Sequence, residues 1–389
     1  MKKHPDYILW LPSWYPTEIT PSNGDFIQRH ALAVSLYTRI IILFVQKDDR
    51  LKIGQSKFEM IDEGNKISII GYYGTTGRTD IIEKLLSFWQ YRKLQKKLFS
   101  IITEKYGLPQ ILHVHIAMNA GLLALYVKKN YKIPYFITEN WTGYYAQSTP
   151  NIYPENWLLN KLRKKIFKEA DLFLPVTKNL GEIINANFVQ VKYQVIPNVV
   201  NTDLFFYKPV EIPVFRFVHA SYLNYQKNPE GMIDAAIALA RINYTFELHL
   251  IGRMDLALQK KCKIANVLDK QVFFHDAVSY EQIAIAMQQS SAFLLFSRFE
   301  NLPCVILEAL CCGLPVISSN VGGIVEVIDE SNGIIVESEN NNALINAMKC
   351  MMDDYTKYNR ESIAISAANL FNYQKVGGMY NALYKGIIS

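Results

Sequence analysis

Short apolar runs rich in β-branched and aromatic residues alternate along this chain with longer amphipathic stretches, which is the pattern of βα units on parallel sheets. In the first half the runs Tyr7 to Leu11, Ile40 to Val45, Ile67 to Tyr72, Ile111 to Val114, Tyr135 to Thr138, Leu172 to Leu174 and Gln194 to Ile196 predict strands. Helical periodicity fills the spaces between them at Asp25 to Tyr37, Thr79 to Tyr106, Asn119 to Lys129, Asn156 to Glu169 and Thr177 to Asn187.

The segment Phe205 to Pro213 interrupts the rhythm. Two prolines without periodic apolar positions predict an extended connector. Alternation then restarts, with strands expected at Phe215 to Ala220, Phe246 to Ile251, Val272 to Phe274, Ala292 to Phe296, Val316 to Ser318 and Ile334 to Val336. Helices are expected between them at Pro229 to Arg241, Asp255 to Val267, Glu281 to Gln289, Pro303 to Cys311 and Asn342 to Met352. The pattern therefore predicts two doubly wound α/β domains, over residues 1–205 and 206–365, and a helical tail over 366–389. The tail carries Phe371, Tyr373, Tyr380 and Tyr384, so it needs a surface to cover, and the domain junction is the expected one. Ligands of open α/β sheets sit at the carboxyl ends of the strands, which places a site in the cleft between two such domains.

Length agrees, since 389 residues exceed what one core usually supports. Half the residues are hydrophobic and a fifth are charged, which excludes a disordered chain. No apolar run reaches the roughly 20 residues of a membrane-spanning helix, and the start of the chain lacks a signal-peptide pattern, so a cytoplasmic location is expected. The five cysteines are odd in number and all lie in the second half without C-x-x-C spacing, as expected of reduced thiols used as core residues. The net charge of +6 is unevenly spread. Residues 1–200 hold 26 basic and 16 acidic side chains, and the remainder hold 15 and 19.

The strongest chemical signal lies between Ser297 and Ser318. A buried strand ends in a polar loop, and Pro303 occupies an expected first helical position. Free amides at such a helix start attract phosphate. Glu300 precedes the helix and Glu308 lies inside it, roughly 7.5 Å along the axis at 1.5 Å per residue. Two carboxylates so separated suit two hydroxylated parts of one elongated ligand better than a shared metal ion. A dipole-favoured Glu and a solvated surface Glu would read the same from sequence alone.

Glu300, seven residues, Glu308-Ala, then Gly313-Leu-Pro315-Val-Ile, Gly322-Gly323 and Glu326 resembles the signature of the family 4 retaining glycosyltransferases, which have the GT-B fold. The order continues through the chain in Trp14-Tyr15-Pro16 to Gly24-Asp25-Phe26, His113-Val-His115, Thr138-Glu139-Asn140, Ala170-Asp171, Ile196-Pro197-Asn198 and Lys227-Asn228. The resemblance implies a nucleoside diphosphate sugar as donor, no cofactor and no metal. It implies that Glu300 holds donor sugar hydroxyls, that Glu308 holds the ribose, and that amides around Asn301 and Leu302 lie near the sugar and diphosphate. Lys227 would neutralise the diphosphate, and His115 would stand against the donor sugar. Gly24 would belong to a loop near phosphate and acceptor, with Glu139 facing the same cleft. The acceptor expected is a glycan or a lipid-linked molecule of cell-surface polysaccharide or glycoconjugate biosynthesis. Another GT-B enzyme, such as a sugar-nucleotide epimerase, or an inactive sugar-nucleotide-binding scaffold is the alternative.

Three positions depart from the family pattern. Ala220-Ser221-Tyr222-Leu223 lacks the arginine that usually precedes the lysine, which leaves Arg253 as a candidate second cation. The loop Gly252-Arg253-Met254-Asp255 lacks a second glycine. Asn140 replaces a histidine.

Two helices concentrate the positive charge: 83–105 has six basic and two acidic residues, and 156–169 has five and one. Leu85, Phe88, Trp89 and Leu98 on one, and Trp157, Leu158, Leu162 and Phe167 on the other, form apolar stripes. Basic amphipathic helices suit an anionic membrane surface, or else pack on a core with a solvated basic face. Nucleic acid is not an expected partner, because the basic residues follow helices rather than a nucleic-acid-binding fold.

Overall fold

The computed structural model describes residues 7–75, 81–152, 157–253 and 255–388. The expected helix starts at Thr79 and Asn156, and Met254, lie outside the described residues. The first domain contains β1 (Tyr7–Pro12), α1 (Asp25–Ser35), β2 (Arg39–Lys47), β3 (Ser56–Glu63), β4 (Lys66–Tyr73), α2 (Ile81–Tyr106), β5 (Ile111–His115), α3 (Gly121–Tyr131), β6 (Tyr135–Glu139), α4 (Trp157–Lys168), β7 (Leu172–Pro175) and α5 (Lys178–Asn187). Its strands run in the order β3-β4-β2-β1-β5-β6-β7. Every pairing is parallel except β3 with β4.

β3 departs from the all-parallel expectation. Its residues are mostly exposed, so Ser56 to Glu63 gives no strong apolar run, and the two-residue Gly64-Asn65 turn folds it back as an antiparallel edge. Gln194 to Ile196, expected as a strand, is not one. It runs beside β7 through single bonds from Gln194 N–H to Phe173 O and Ile196 N–H to Pro175 O, and Pro175 has no N–H with which to return a bond and complete the ladder.

The second domain contains β8 (Arg216–Ala220), α6 (Pro229–Arg241), β9 (Glu247–Ile251), α7 (Leu256–Ile264), β10 (Val272–His275), α8 (Tyr280–Gln288), β11 (Ala292–Leu295), α9 (Cys304–Cys311), β12 (Val316–Ser319), β13 (Gly333–Val336), α10 (Asn341–Asp353) and α11 (Arg360–Phe371), followed by α12 (Tyr373–Ile388). Its sheet is parallel throughout, in the order β10-β9-β8-β11-β12-β13. Apolar runs such as Phe293–Leu295 and Val316–Ile317 are fully buried because helices cover both faces.

Two cores result, one around each sheet. Phe371 packs in the second core, whereas Val376, Tyr380 and Tyr384 pack in the first, so the chain crosses between domains at Asn372. The tyrosines of α12 are held by polar groups of the first domain. Tyr380 bonds to His30 Nδ1 at 3.0 Å and to Thr138 at 3.2 Å, and Tyr384 bonds to His113 Nδ1.

Candidate functional site

The carboxyl ends of both sheets face one cleft, and the β11–α9 loop stands in it. The extended Pro303 (ψ 124°) is the N-cap of α9 rather than its expected first helical residue, and the helix begins at Cys304. Glu300 and Glu308 are 4% and 3% exposed. They are not solvated surface carboxylates. Burying a carboxylate without compensation is costly, and each has its own cation.

Glu300 Oε1 accepts from Lys227 Nζ and, at 2.9 Å, from the Ser297 hydroxyl. Lys227 is aimed by two asparagines. Asn224 accepts from the Lys227 N–H at 3.3 Å, and Asn228, in the left-handed region at φ 50°, caps α6 by accepting from Gly231 N–H. Pro229 then starts that helix with a φ already helical.

Glu308 is paired with Arg29, which comes from α1 of the other domain. The same guanidinium bridges to Asp25 at 3.2 Å and lies 5.2 Å from the ring centre of Tyr280, whose hydroxyl donates to Asp25. Burial pushes the Glu308 carboxyl above its ordinary range, opposed by the charge of Arg29. Sequence reading missed Arg29, Asp25 and Tyr280. Asp25 and Arg29 look like an ordinary i,i+4 helix pair, and nothing in the chain reveals that they face Glu308.

Asn301 and Leu302 join the two domains. Asn301 Oδ1 accepts from Thr177 at 2.9 Å, its Nδ2 donates to Asn140 O at 3.1 Å, and Leu302 O accepts from Asn198 Nδ2 at 2.7 Å. Gly322 and Gly323 permit this closeness. Gly322 has φ 58°, and a Cβ there would lie 2.2 Å from Glu300 O; at Gly323 a Cβ would meet the Thr177 methyl at 2.2 Å.

Gly24, at φ 73°, precedes α1 and lies so close to Trp14 that a Cβ would sit 2.6 Å from its carbonyl. His115 ends β5 and is fully buried, its ring tilted against those of Trp10 and His113 with centroids 4.0 Å and 4.3 Å away. Burial holds its imidazole neutral, and both ring nitrogens lack a partner among the described residues.

One expectation changes. Glu139 does not look into open cleft. It is fully buried and accepts from Ala117 N–H at 3.0 Å, Asn140 N–H at 3.1 Å, Trp141 N–H at 3.0 Å and the Tyr144 hydroxyl at 3.3 Å, so it ties the loops after β5 and β6 together. Arg253 is exposed and stands outside the Lys227–Glu300 pair. Beyond Glu300 the cleft opens into a cavity of about 370 Å³ lined by Tyr144, Tyr145, Gln147, Asn179 and Arg298.

The apolar stripes of the basic helices are largely uncovered. Leu98 and Phe167 are core residues, but Leu85 is 64%, Trp89 59% and Trp157 68% exposed. Among the described residues no helix is long and apolar enough to cross a membrane.

Comparison with known proteins finds matches to both domains. Residues 212–367 match the family described as glycosyl transferases group 1, and residues 67–204 match glycosyltransferase family 4. The TuaC glycosyltransferase of Bacillus subtilis, named for teichuronic acid biosynthesis, is 22% identical over 381 residues, covering 92% of this chain and 90% of that protein. Among solved structures, a sucrose-phosphate synthase of Thermosynechococcus elongatus superposes with a TM-score of 0.77 at 17% identity over 98% of this chain and 99% of the other. The HepE protein of Anabaena, solved with UDP, gives 0.71 at 15% identity over 98% and 100%.

Proposed function

Because this chain belongs to the family 4 (group 1) glycosyltransferases of GT-B fold, we propose that it moves a hexose-type unit, with retention of configuration, from a nucleoside diphosphate sugar to a growing surface glycan or its lipid-linked precursor. The carrying observation is the pair of buried carboxylates at one cleft, each held by a separate cation. Glu308 takes the ribose hydroxyls and Glu300 the sugar hydroxyls. Lys227, released from Glu300 by the sugar, balances the charge that develops on the leaving diphosphate. The buried, neutral His115 has two ring nitrogens that lack a partner among the described residues and are suited to a sugar hydroxyl. Gly24 lets the loop before α1 approach the phosphate. Attack and departure on the same face, with the leaving phosphate as base, give retention without a protein nucleophile.

Similarity to a relative named for teichuronic acid biosynthesis supports a surface polysaccharide as product. The first domain rests on the cytoplasmic face of the membrane through α2 and α4, where Trp89 and Trp157 stand exposed near Lys93 and Lys161. Nucleotide release from a panel of nucleoside diphosphate sugars, with and without lipid-linked saccharides, tests the reading. Release that depends on acceptor and yields a product with the donor's anomeric configuration is expected. Interconversion of the sugar nucleotide without transfer, or an inverted product, would refute it.

A further inference from the structure

The carboxylate read as the ribose site is already occupied by a cation from the other domain, and this makes Arg29 an element of donor recognition. Glu308 is 3% exposed, and Arg29 Nη1 donates to its Oε1. A ribose can take that oxygen only if the guanidinium releases it. Withdrawing one partner from a buried ion pair leaves an uncompensated charge, which is strongly unfavourable unless another counter-ion arrives at the same moment.

A nucleoside diphosphate brings that counter-ion. Its α-phosphate is esterified to O5′ of the same ribose, so a double anion necessarily enters within a side chain's swing of Glu308. We propose that Arg29 exchanges its bond to Glu308 for the donor diphosphate, and so supplies from the first domain a second phosphate cation beside Lys227.

Three observations support the exchange. The segment Ala220-Ser221-Tyr222-Leu223 offers no arginine beside Lys227, and Arg253 is exposed. A guanidinium has five N–H donors. Arg29 Nε is buried without an acceptor among the described residues, so the side chain has donor capacity that the ion pair leaves unused. Asp25 and Tyr280 hold the guanidinium at 3.2 Å and 5.2 Å, so it stays at the cleft when Glu308 lets go. Arginine also matches phosphate geometry, donating through two N–H groups at once. Because α1 belongs to the first domain and Glu308 to the second, the diphosphate then binds both domains together.

The proposal rests on Glu308 being the ribose carboxylate, and the test separates the two. Calorimetric affinities for UDP, GDP and ADP, and for their nucleosides, are measured on the full chain and on Arg29→Ala, Arg29→Gln, Arg29→Lys and Glu308→Gln, each checked for native circular dichroism. In the wild type one diphosphate binds at least tenfold more tightly than its nucleoside. Arg29→Ala and Arg29→Gln lose at least tenfold for the diphosphate while nucleoside affinity is unchanged or rises, and Arg29→Lys recovers part of the loss. Equal losses for nucleoside and diphosphate would mean a structural role, and gains for both would mean a simple latch; either overturns the exchange. Nucleoside affinity unchanged in Glu308→Gln would refute the ribose reading itself, whatever Arg29 does. Failure of the wild type to bind any of the three diphosphates would refute both.

Discussion

Glu326 of the second domain accepts the backbone N–H of Asn179, at the start of α5 in the first domain, at 2.7 Å. Its other oxygen takes the Lys178 N–H at 2.8 Å, so a carboxylate from one domain caps a helix of the other. Anions at a helix N-terminus contribute about 0.3–1 kcal/mol at an exposed site. Glu326→Ala should therefore lower the ratio of molecules with the two domains docked here to those with them apart roughly twofold to fivefold. Small-angle scattering should show a larger radius of gyration, with turnover reduced and circular dichroism unchanged. An unchanged radius would mean that other contacts alone set the closure.

Glu300 and Glu308 should respond differently to truncation. Glu300→Ala removes contacts to the reacting sugar and should mainly cut kcat. Glu308→Ala removes a ground-state contact and should mainly raise the donor Kd. Losing a hydrogen bond to a charged group costs about 1.5–3 kcal/mol, so changes of roughly tenfold or more are expected. Steady-state kinetics with direct donor titration checks both, and wild-type behaviour in the pair would remove the central assignment.

Gly322→Ala should damage the site more than the fold. The backbone is at φ 58°, and the new Cβ would fall 2.2 Å from Glu300 O, so the Glu300 loop must move. Strain of about 1–3 kcal/mol is expected. A modest fall in Tm with a large loss of kcat is the predicted outcome; full activity would show that the loop adjusts without moving Glu300.

Acid should destabilise the chain through its buried histidines. Burial, helped by the charge of Arg29, lowers His30 from 6.5 to about 3. The unfolded chain therefore takes up a proton as pH falls below about 6.5, while the folded chain does not. Stability due to neutral His30 is complete above that range and is lost toward pH 3, at most about 1.4 kcal/mol per pH unit. His113 and His115 shift in the same direction. Urea unfolding between pH 7.5 and 5 should show a shallower pH slope in His30→Asn than in the wild type; equal slopes would exclude His30 as a contributor.

Membrane contact should depend on charge and on tryptophan together. Each basic residue near anionic lipid contributes about 1 kcal/mol, so Lys164→Glu with Lys165→Glu should lower vesicle binding by more than tenfold. Trp157→Ala should weaken binding further at high salt, where screening leaves the apolar contribution. Flotation with anionic and neutral vesicles measures both, and binding indifferent to lipid charge and salt would rule the surface out.

The sequence determined by itself whatever depends on local pattern. Fully buried strands such as Phe293–Leu295 must be continuous apolar runs, so β11 and its parallel neighbours were legible. β3 was not, because an edge strand with exposed faces needs no apolar run, and only the Gly64-Asn65 turn marked it. The spacing of Glu300 and Glu308 was also legible, since both sit on one short stretch of chain.

Their partners came only from the tertiary structure. Arg29 meets Glu308 across 279 residues, and Lys227 meets Glu300 across 73. The Asn301 side chain, whose partners the sequence does not reveal, bonds to Thr177 and Asn140 across the domain junction. Glu139, expected to face the cleft, is turned inward onto three backbone amides and a tyrosine. A buried charge or amide must find compensation wherever the fold brings a partner within reach, and the chain's local order does not encode which distant group that is.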